Sequence, residues 1–255
     1  MSPWIIFSVL VGPGRFELAV ALALAATVAL TATVRTLHRG SSLKILEVAN
    51  IVFFGAMVVL GAVASPSTHT WLERYAGEIS NLALVAIAFG SMAVRFPFTT
   101  QYARERVDRQ YWYSHEFIRA NYVVTAAWGL AFLVAALVGG FGDLVLHNPG
   151  NLWTGWIIQI TAIVVALRFT EWYPRLALSR TLPGRPGPPV RSLLIPLVGL
   201  MIGIGIVVLI LDAAASWFGV ALLMGGVVLS RAIRKDVELT EAQRCPKEPR
   251  RRRLR

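Results

Sequence analysis

The sequence predicts an all-α, polytopic transmembrane bundle of seven helices, with the N-terminus outside and the C-terminus inside. Three observations carry that reading. Of 255 residues, 56% are hydrophobic and 15% charged, where a soluble domain carries roughly 25% charged. Apolar stretches of 16 to 20 residues recur seven times, near the ~20 that a helix needs to cross about 30 Å of hydrocarbon. The basic residues fall in alternate connections between those stretches, as the positive-inside rule requires.

The apolar stretches are 16–34, 45–64, 79–94, 122–141, 152–167, 193–211 and 213–229. The third, fifth and seventh are short for a span. All are apolar on every face, which excludes the alternating pattern of barrel strands. Ahead of them stands Trp4-Ile5-Ile6-Phe7, then Gly12-Pro13-Gly14. Residues 3–12 are too few to cross, so they either lie in the interface or extend the first helix through a kink. The connection 64–77 is expected to carry a short interfacial helix from Thr70. The stretch 98–119 reads as an amphipathic helix, and 181–189 as a Pro/Gly linker. Residues 1–240 form one bundle. Residues 241–255, with Arg250 to Arg253 and Arg255, form a basic cytoplasmic tail expected to be disordered beyond about Glu241.

Charge sets the orientation. Connections 35–44, 95–119, 168–191 and 231–255 hold 23 of the 25 Lys and Arg, and the other side holds Arg15 and Arg74. Acidic residues leave +14 inside and −3 outside, consistent with the net +11. An even number of crossings would destroy this alternation. Trp4, Trp71, Trp153, Trp156 and Trp217 fall at the outer interface and Trp112 and Trp172 at the inner one, where an indole prefers to sit. Trp128 alone lies well within a span.

Two stretches resemble each other at offsets of 71 and 73 residues. Asn50 opens one apolar run and Asn121 another, and Ala93-Val94-Arg95-Phe96 matches Ala166-Leu167-Arg168-Phe169. This gives a possible parallel hairpin repeat over 43–110 and 114–180, although two unrelated helical hairpins would also look alike.

Candidate chemistry is sparse. The last span has no lysine for a retinal. His38, His69, His115 and His147 sit in connections or at span ends, away from haem-ligating positions. One cysteine, Cys245, makes neither an internal disulfide nor a Cys-type zinc site. No cofactor, metal or nucleic-acid partner is implied. Glu17, Glu47, Arg95, Arg168, Glu171 and Asp212 lie near span ends, where side chains snorkel to headgroups, and none lies at mid-bilayer. Arg95 and Arg168 each end a short apolar stretch, a pattern that points to a transporter site. With Glu171, Gln101, Tyr102, Arg104, His115 and Arg119 they form a candidate inner-facing pocket for a phosphate or carboxylate. The alternative is that both arginines snorkel to lipid phosphates. Tyr111-Trp112-Tyr113 reads as an interface anchor. Small-residue rows, Ala21/Ala25/Ala29 and Gly199/Gly203 with Gly205, Gly225 and Gly226, are expected to pack helices within the bundle, or between copies in a homodimer.

The run Pro97-Phe98-Thr99-Thr100-Gln101-Tyr102-Ala103-Arg104, with Leu43 to Asn50 and Glu73 to Leu82, resembles a family of bacterial inner-membrane proteins of unknown function. The hairpin pattern is more distantly similar to the intracellular septation protein A family. The resemblance implies the bacterial inner membrane and envelope or division work, and carries no site residue.

Three functions follow in order: a non-enzymatic envelope or assembly protein binding other membrane proteins; a transporter or channel for a small anionic solute or lipid, using the Arg-lined pocket; a membrane enzyme. The basic side is expected to meet anionic lipids of the cytoplasmic leaflet. The topology is testable with single cysteines placed in a chain lacking Cys245. An impermeant thiol reagent applied outside should label the outer connections alone. Acidic substitutions in the inner connections should disturb that pattern more than substitution of Arg15 or Arg74.

Overall fold

A computed structural model describes residues 2–12, 14–37, 44–148, 151–181, 187–211 and 216–244. Among them all regular structure is helical: α1 (Ser2–Leu10), α2 (Phe16–Leu37), α3 (Ile45–Val63), α4 (Pro66–Ala93), α5 (Thr99–Arg104), α6 (His115–Leu144), α7 (Ile158–Thr181), α8 (Arg191–Ile210) and α9 (Ser216–Arg244). Seven helices are long and apolar enough to cross a membrane: α2, α3, α4, α6, α7 together with the π-helical turn Trp153–Ile157 before it, α8 and α9. The chain is thus an integral, multi-pass, all-α membrane protein. It divides into two compact units, Met1–Pro186 and Gly187–Arg255. His38, Asp212, Cys245 and the arginine run of the tail lie outside the described residues.

The main departure from expectation is α4. No separate interfacial helix starts at Thr70. One helix of 28 residues begins at Pro66 and runs to Ala93, about 42 Å at helical rise. Ser65 caps it, its hydroxyl accepting from the Thr68 amide, and Pro66 occupies the first helical position, where its missing N–H costs nothing. The apolar stretch 79–94 is therefore only the second half of a longer helix, and α7 likewise continues past Arg168 to Thr181, with Pro174 inside it. The stretch 98–119 is not one amphipathic helix. It breaks into α5, a 3-10 turn over Arg109–Tyr111 and the start of α6, which Ser114 caps through the Phe117 amide. Helix α9 extends through Arg244, past the expected end of order at Glu241.

Helix α1 is a separate helix from the first span. It packs against α2 and α3, with Phe7 fully buried and Trp4 nearly so. The Trp4 indole donates to Asn50 Oδ1 at 2.7 Å, and its rings meet Phe53 and Phe54. Phe7 stacks edgewise on Phe16 and Phe54. Nine residues reach about 14 Å, so α1 fills half the depth of the bundle. Gly14, at φ +71°, makes the turn into α2, and its amide donates to Glu73 Oε1 at 2.8 Å.

Helix α6 is the centre of the first unit. Half of its apolar window is buried, against 11% to 28% in the other spans. Its buried positions Asn121, Thr125, Trp128, Phe132, Ala135, Gly139 and Gly142 repeat in steps of four and three. That seam of coiled-coil spacing packs against α4 and α7. The Trp128 indole, deep in the span, is satisfied by Thr170 Oγ1 at 2.9 Å. In the second unit α8 and α9 close on Gly205, Gly219 and Gly226, where an added Cβ would collide with the facing helix.

Two small-residue rows lie elsewhere than expected. Ala21, Ala25 and Ala29 are exposed, because α2 buries Phe16, Ala19, Val20, Ala23 and Thr27 instead. Gly199 and Gly203 face open space. The inward face of α2 is another small-residue row, Ala19, Ala23 and Thr27, led by Phe16 and Val20, while Leu18, Leu22 and Leu30 are exposed. The likeness between the two hairpins also stops at their ends: α4 terminates before Arg95, whereas α7 passes straight through Arg168.

Replacing Asn50 by Leu leaves the Trp4 indole N–H buried without an acceptor. The fold should lose about 1–3 kcal/mol, read as a lower unfolding midpoint in detergent. Adding Trp4→Phe, which removes the orphaned donor, should recover most of that loss.

Candidate functional site

The eight residues singled out by sequence separate into three settings. Arg95 sits at the end of α4 with φ 60°. Its amide donates to the Met92 carbonyl, and the Phe96 amide donates to Ser91. These two bonds make a Schellman closure with an arginine where glycine is usual. Arg95, His115 and Arg119 are exposed, and among the described residues no side-chain hydrogen bond or ion pair engages them. Arg168 pairs with Glu171 at 3.1 Å, one turn along α7. No contact among the described residues joins Arg95 to Arg168.

Gln101, Tyr102 and Arg104 belong to α5, which straps the start of α3. Gln101 Oε1 accepts from the Ile45 amide at 2.6 Å, so it satisfies a first-turn donor of α3. Lys44 Nζ meets Glu105 at 2.7 Å and lies 4.4 Å over the Tyr102 ring. Glu47 accepts from the Lys44 amide. On the other side Thr99 Oγ1 bonds Thr125 Oγ1 at 2.7 Å and the Asn121 carbonyl at 3.1 Å, tying α5 to α6. Arg104 lies over Phe96 and Trp112.

A second polar cluster, which the sequence reading missed, lies inside the first unit between α4, α6 and the start of α7. Arg74, Glu78 and Asn81 follow at four- and three-residue steps on one face of α4. Arg74 Nη2 reaches the Asp143 carbonyl at 3.5 Å. Glu78 on α4 and Asp143 on α6 are near enough for their carboxyl groups to interact electrostatically. Asn81 donates to Gln159 Oε1 at 3.2 Å, and Gln159 donates to the Thr154 carbonyl at 2.9 Å. Two glycines of α6 make the room. A Cβ on Gly139 would collide with Glu78 Oε1 and stand 3.1 Å from Gln159 Nε2; one on Gly142 would collide with the Thr154 hydroxyl. Asp143 and Thr154 are buried.

The signal for this cluster was present. Gln159 is the one glutamine within the apolar stretch 152–167, and Glu78 abuts the stretch 79–94. Reading 64–77 as a connection placed Arg74 and Glu78 outside any span. Once α4 is continuous, the same residues form a polar stripe facing α6. Chemically the cluster offers two carboxyl groups, two carboxamides, a hydroxyl and a guanidinium. Among the described residues no three His, Cys, Asp or Glu side chains converge as metal ligands.

Comparison with known proteins finds no matching family model, curated sequence or solved structure. The geometry of these two clusters is therefore the ground for a functional reading.

Tyr102 titrates distinctively. Burial first, then the Glu47 and Glu105 charges, push its phenol up to about 12. An unfolded tyrosine ionises near 10, so the fold holds the proton longer. The associated stability is intact below about pH 10 and is lost as pH rises towards about 12. In a spectrophotometric titration of the six tyrosines, one should ionise late. Tyr102→Phe should remove that late step and flatten the loss of stability between about pH 10 and 12.

Proposed function

We propose that this multi-pass protein is a proton-conducting transport protein of the bacterial cytoplasmic membrane, oriented N-outside, with Glu78 as its proton-binding group. The observation that carries the reading is the seat of the Glu78 carboxyl, against Gly139 of α6 and opposite Asp143. Ionisable side chains within a membrane-spanning helix are costly, and they mark ion and solute pathways. A bundle built for packing alone would place apolar residues here. With α4 continuous, Glu78 lies within a helix long enough to span, which favours transport over an assembly role.

The chemistry follows from the pair. In this reading Glu78 takes up the transported proton. When it leaves, like charges face each other across α4 and α6, and an ionised pair in a medium of low dielectric is costly. Arg74 beside Asp143 offsets part of the charge. Two acids with two carboxamides suit a proton or a neutral or cationic passenger better than the anion expected of an Arg-lined pocket.

A second reading has its own support. The exposed rows Ala21/Ala25/Ala29 and Gly199/Gly203 are the kind of surface that admits another helix closely, which suits an assembly protein or homodimer in the envelope. In either case the basic connections face anionic lipids of the cytoplasmic leaflet.

Proteoliposomes with an internal pH dye decide between them. Under an imposed membrane potential the full-length protein should pass protons. Glu78→Gln should lower that flux about tenfold, the effect expected of removing one essential proton carrier, with helical content unchanged. A wild-type rate equal to that of protein-free liposomes, or an undiminished variant, would refute proton conduction and leave the assembly reading.

A further inference from the structure

Two guanidinium groups meet one indole just beyond the end of α4. The Arg104 guanidinium carbon lies 5.5 Å from the Phe96 ring centre and 5.0 Å from that of Trp112. Arg109, in the 3-10 turn before α6, lies 5.6 Å from the same Trp112 ring. The indole is a fixed platform, because its N–H donates to the Val107 carbonyl at 2.8 Å. Stacking over an aromatic face stabilises a cation while leaving the in-plane N–H donors free for an anion.

Nearby acids do not take up this charge. Glu105 is paired with Lys44. Asp108 adjoins Arg109 and Glu116 lies in the first turn of α6, and neither forms an ion pair among the described residues. The Arg104 Nε is sealed from solvent without an acceptor, so the terminal nitrogens are its remaining donors. Two like charges held 5.0 and 5.6 Å from one indole centre repel, and an anion bound nearby offsets that repulsion.

Position identifies the anion. Helices α4 and α6 are both membrane-spanning, so the segment joining Ala93 to His115 lies at a membrane surface. Tyr111 and Tyr113, which flank Trp112, are exposed, and aromatic side chains of this kind settle at headgroup level. We infer that Arg104 and Arg109, presented by Trp112 and Phe96, form a binding site for the phosphodiester of an anionic phospholipid. The site stands apart from Glu78, some 15 residues away along α4 from Ala93, or about 22 Å. It does not depend on the proton reading.

The test uses the purified full-length chain, delipidated in neutral detergent and titrated with phosphatidylglycerol, with bound lipid followed by native mass spectrometry. Phosphatidylcholine of the same chains and inorganic phosphate form parallel arms. The tightest phosphatidylglycerol should weaken about tenfold in the double variant Arg104→Gln with Arg109→Gln, since two charge-assisted bonds are lost. Arg104→Lys with Arg109→Lys keeps the charge but not the planar donors and should weaken it by less, about threefold. Trp112→Phe, which keeps both arginines and removes the Val107 anchor, should also weaken it. Phosphatidylglycerol binding unchanged in the glutamine variant, despite native helical content, overturns the site. Equal binding of phosphatidylcholine overturns the requirement for an anionic lipid. Displacement of phosphatidylglycerol by equimolar inorganic phosphate overturns the lipid as the source of the phosphate.

Discussion

Hydrocarbon offers no hydrogen bonds, so every polar group that a helix carries into the bilayer must find its partner in the protein. That constraint arranges the first unit. Trp4 reaches Asn50, Trp128 reaches Thr170, and Asn81, Gln159 and Thr154 form a chain from α4 to the start of α7. Hydroxyls that lack a neighbour bond back one turn along their own helix, as Thr27 does to Ala23 and Ser80 to Ala76. Helix α6 is central because its glycines allow polar side chains from both flanking helices to approach it. Apolar packing then fills what remains, with Phe7, Phe16 and Phe54 closing α1 onto α2 and α3.

The same constraint links the middle of α4 to its end. Near its middle Glu78 stands against Gly139 of α6 and close to Asp143. At its C-terminal end Arg95 closes the helix in a left-handed conformation, and α5 turns back to cap α3 through Gln101. A displacement of α4 against α6 would be felt at both places, since Thr99 of α5 is tied to Asn121 and Thr125 of α6. The aromatic and cationic segment that holds Arg104 over Trp112 follows directly beyond α4.

Much of the architecture was legible in the sequence, for a physical reason. Apolar length reports what lipid requires, so the seven spans could be read from hydropathy alone. Hydropathy does not report amphipathic helix. Proline in the first turn and a serine cap start a helix at Pro66, whereas 64–77 reads as a connection because its apolar content is low. With it went Arg74 and Glu78. The small-residue rows misled in a related way: Ala21, Ala25 and Ala29 share a face, but nothing in their spacing says whether that face turns to lipid or protein. The face that turns inward carries a second such row, Ala19, Ala23 and Thr27, beside Phe16 and Val20. Arg95 was marked as a ligand candidate by its place at the end of an apolar run, and that place is where a helix needs its C-terminal closure.

The account rests on α4 being one helix that carries Glu78 and Asn81 up to α6 and the start of α7. Amide hydrogen exchange of the full chain in lipid nanodiscs tests this most directly. Residues 70–81 should exchange as slowly as 82–93, because both belong to one packed, hydrogen-bonded helix. Rapid exchange up to Ile79 with protection only beyond it would mean a loose surface segment. Neither the carboxyl pair nor the reading built on it would survive that result.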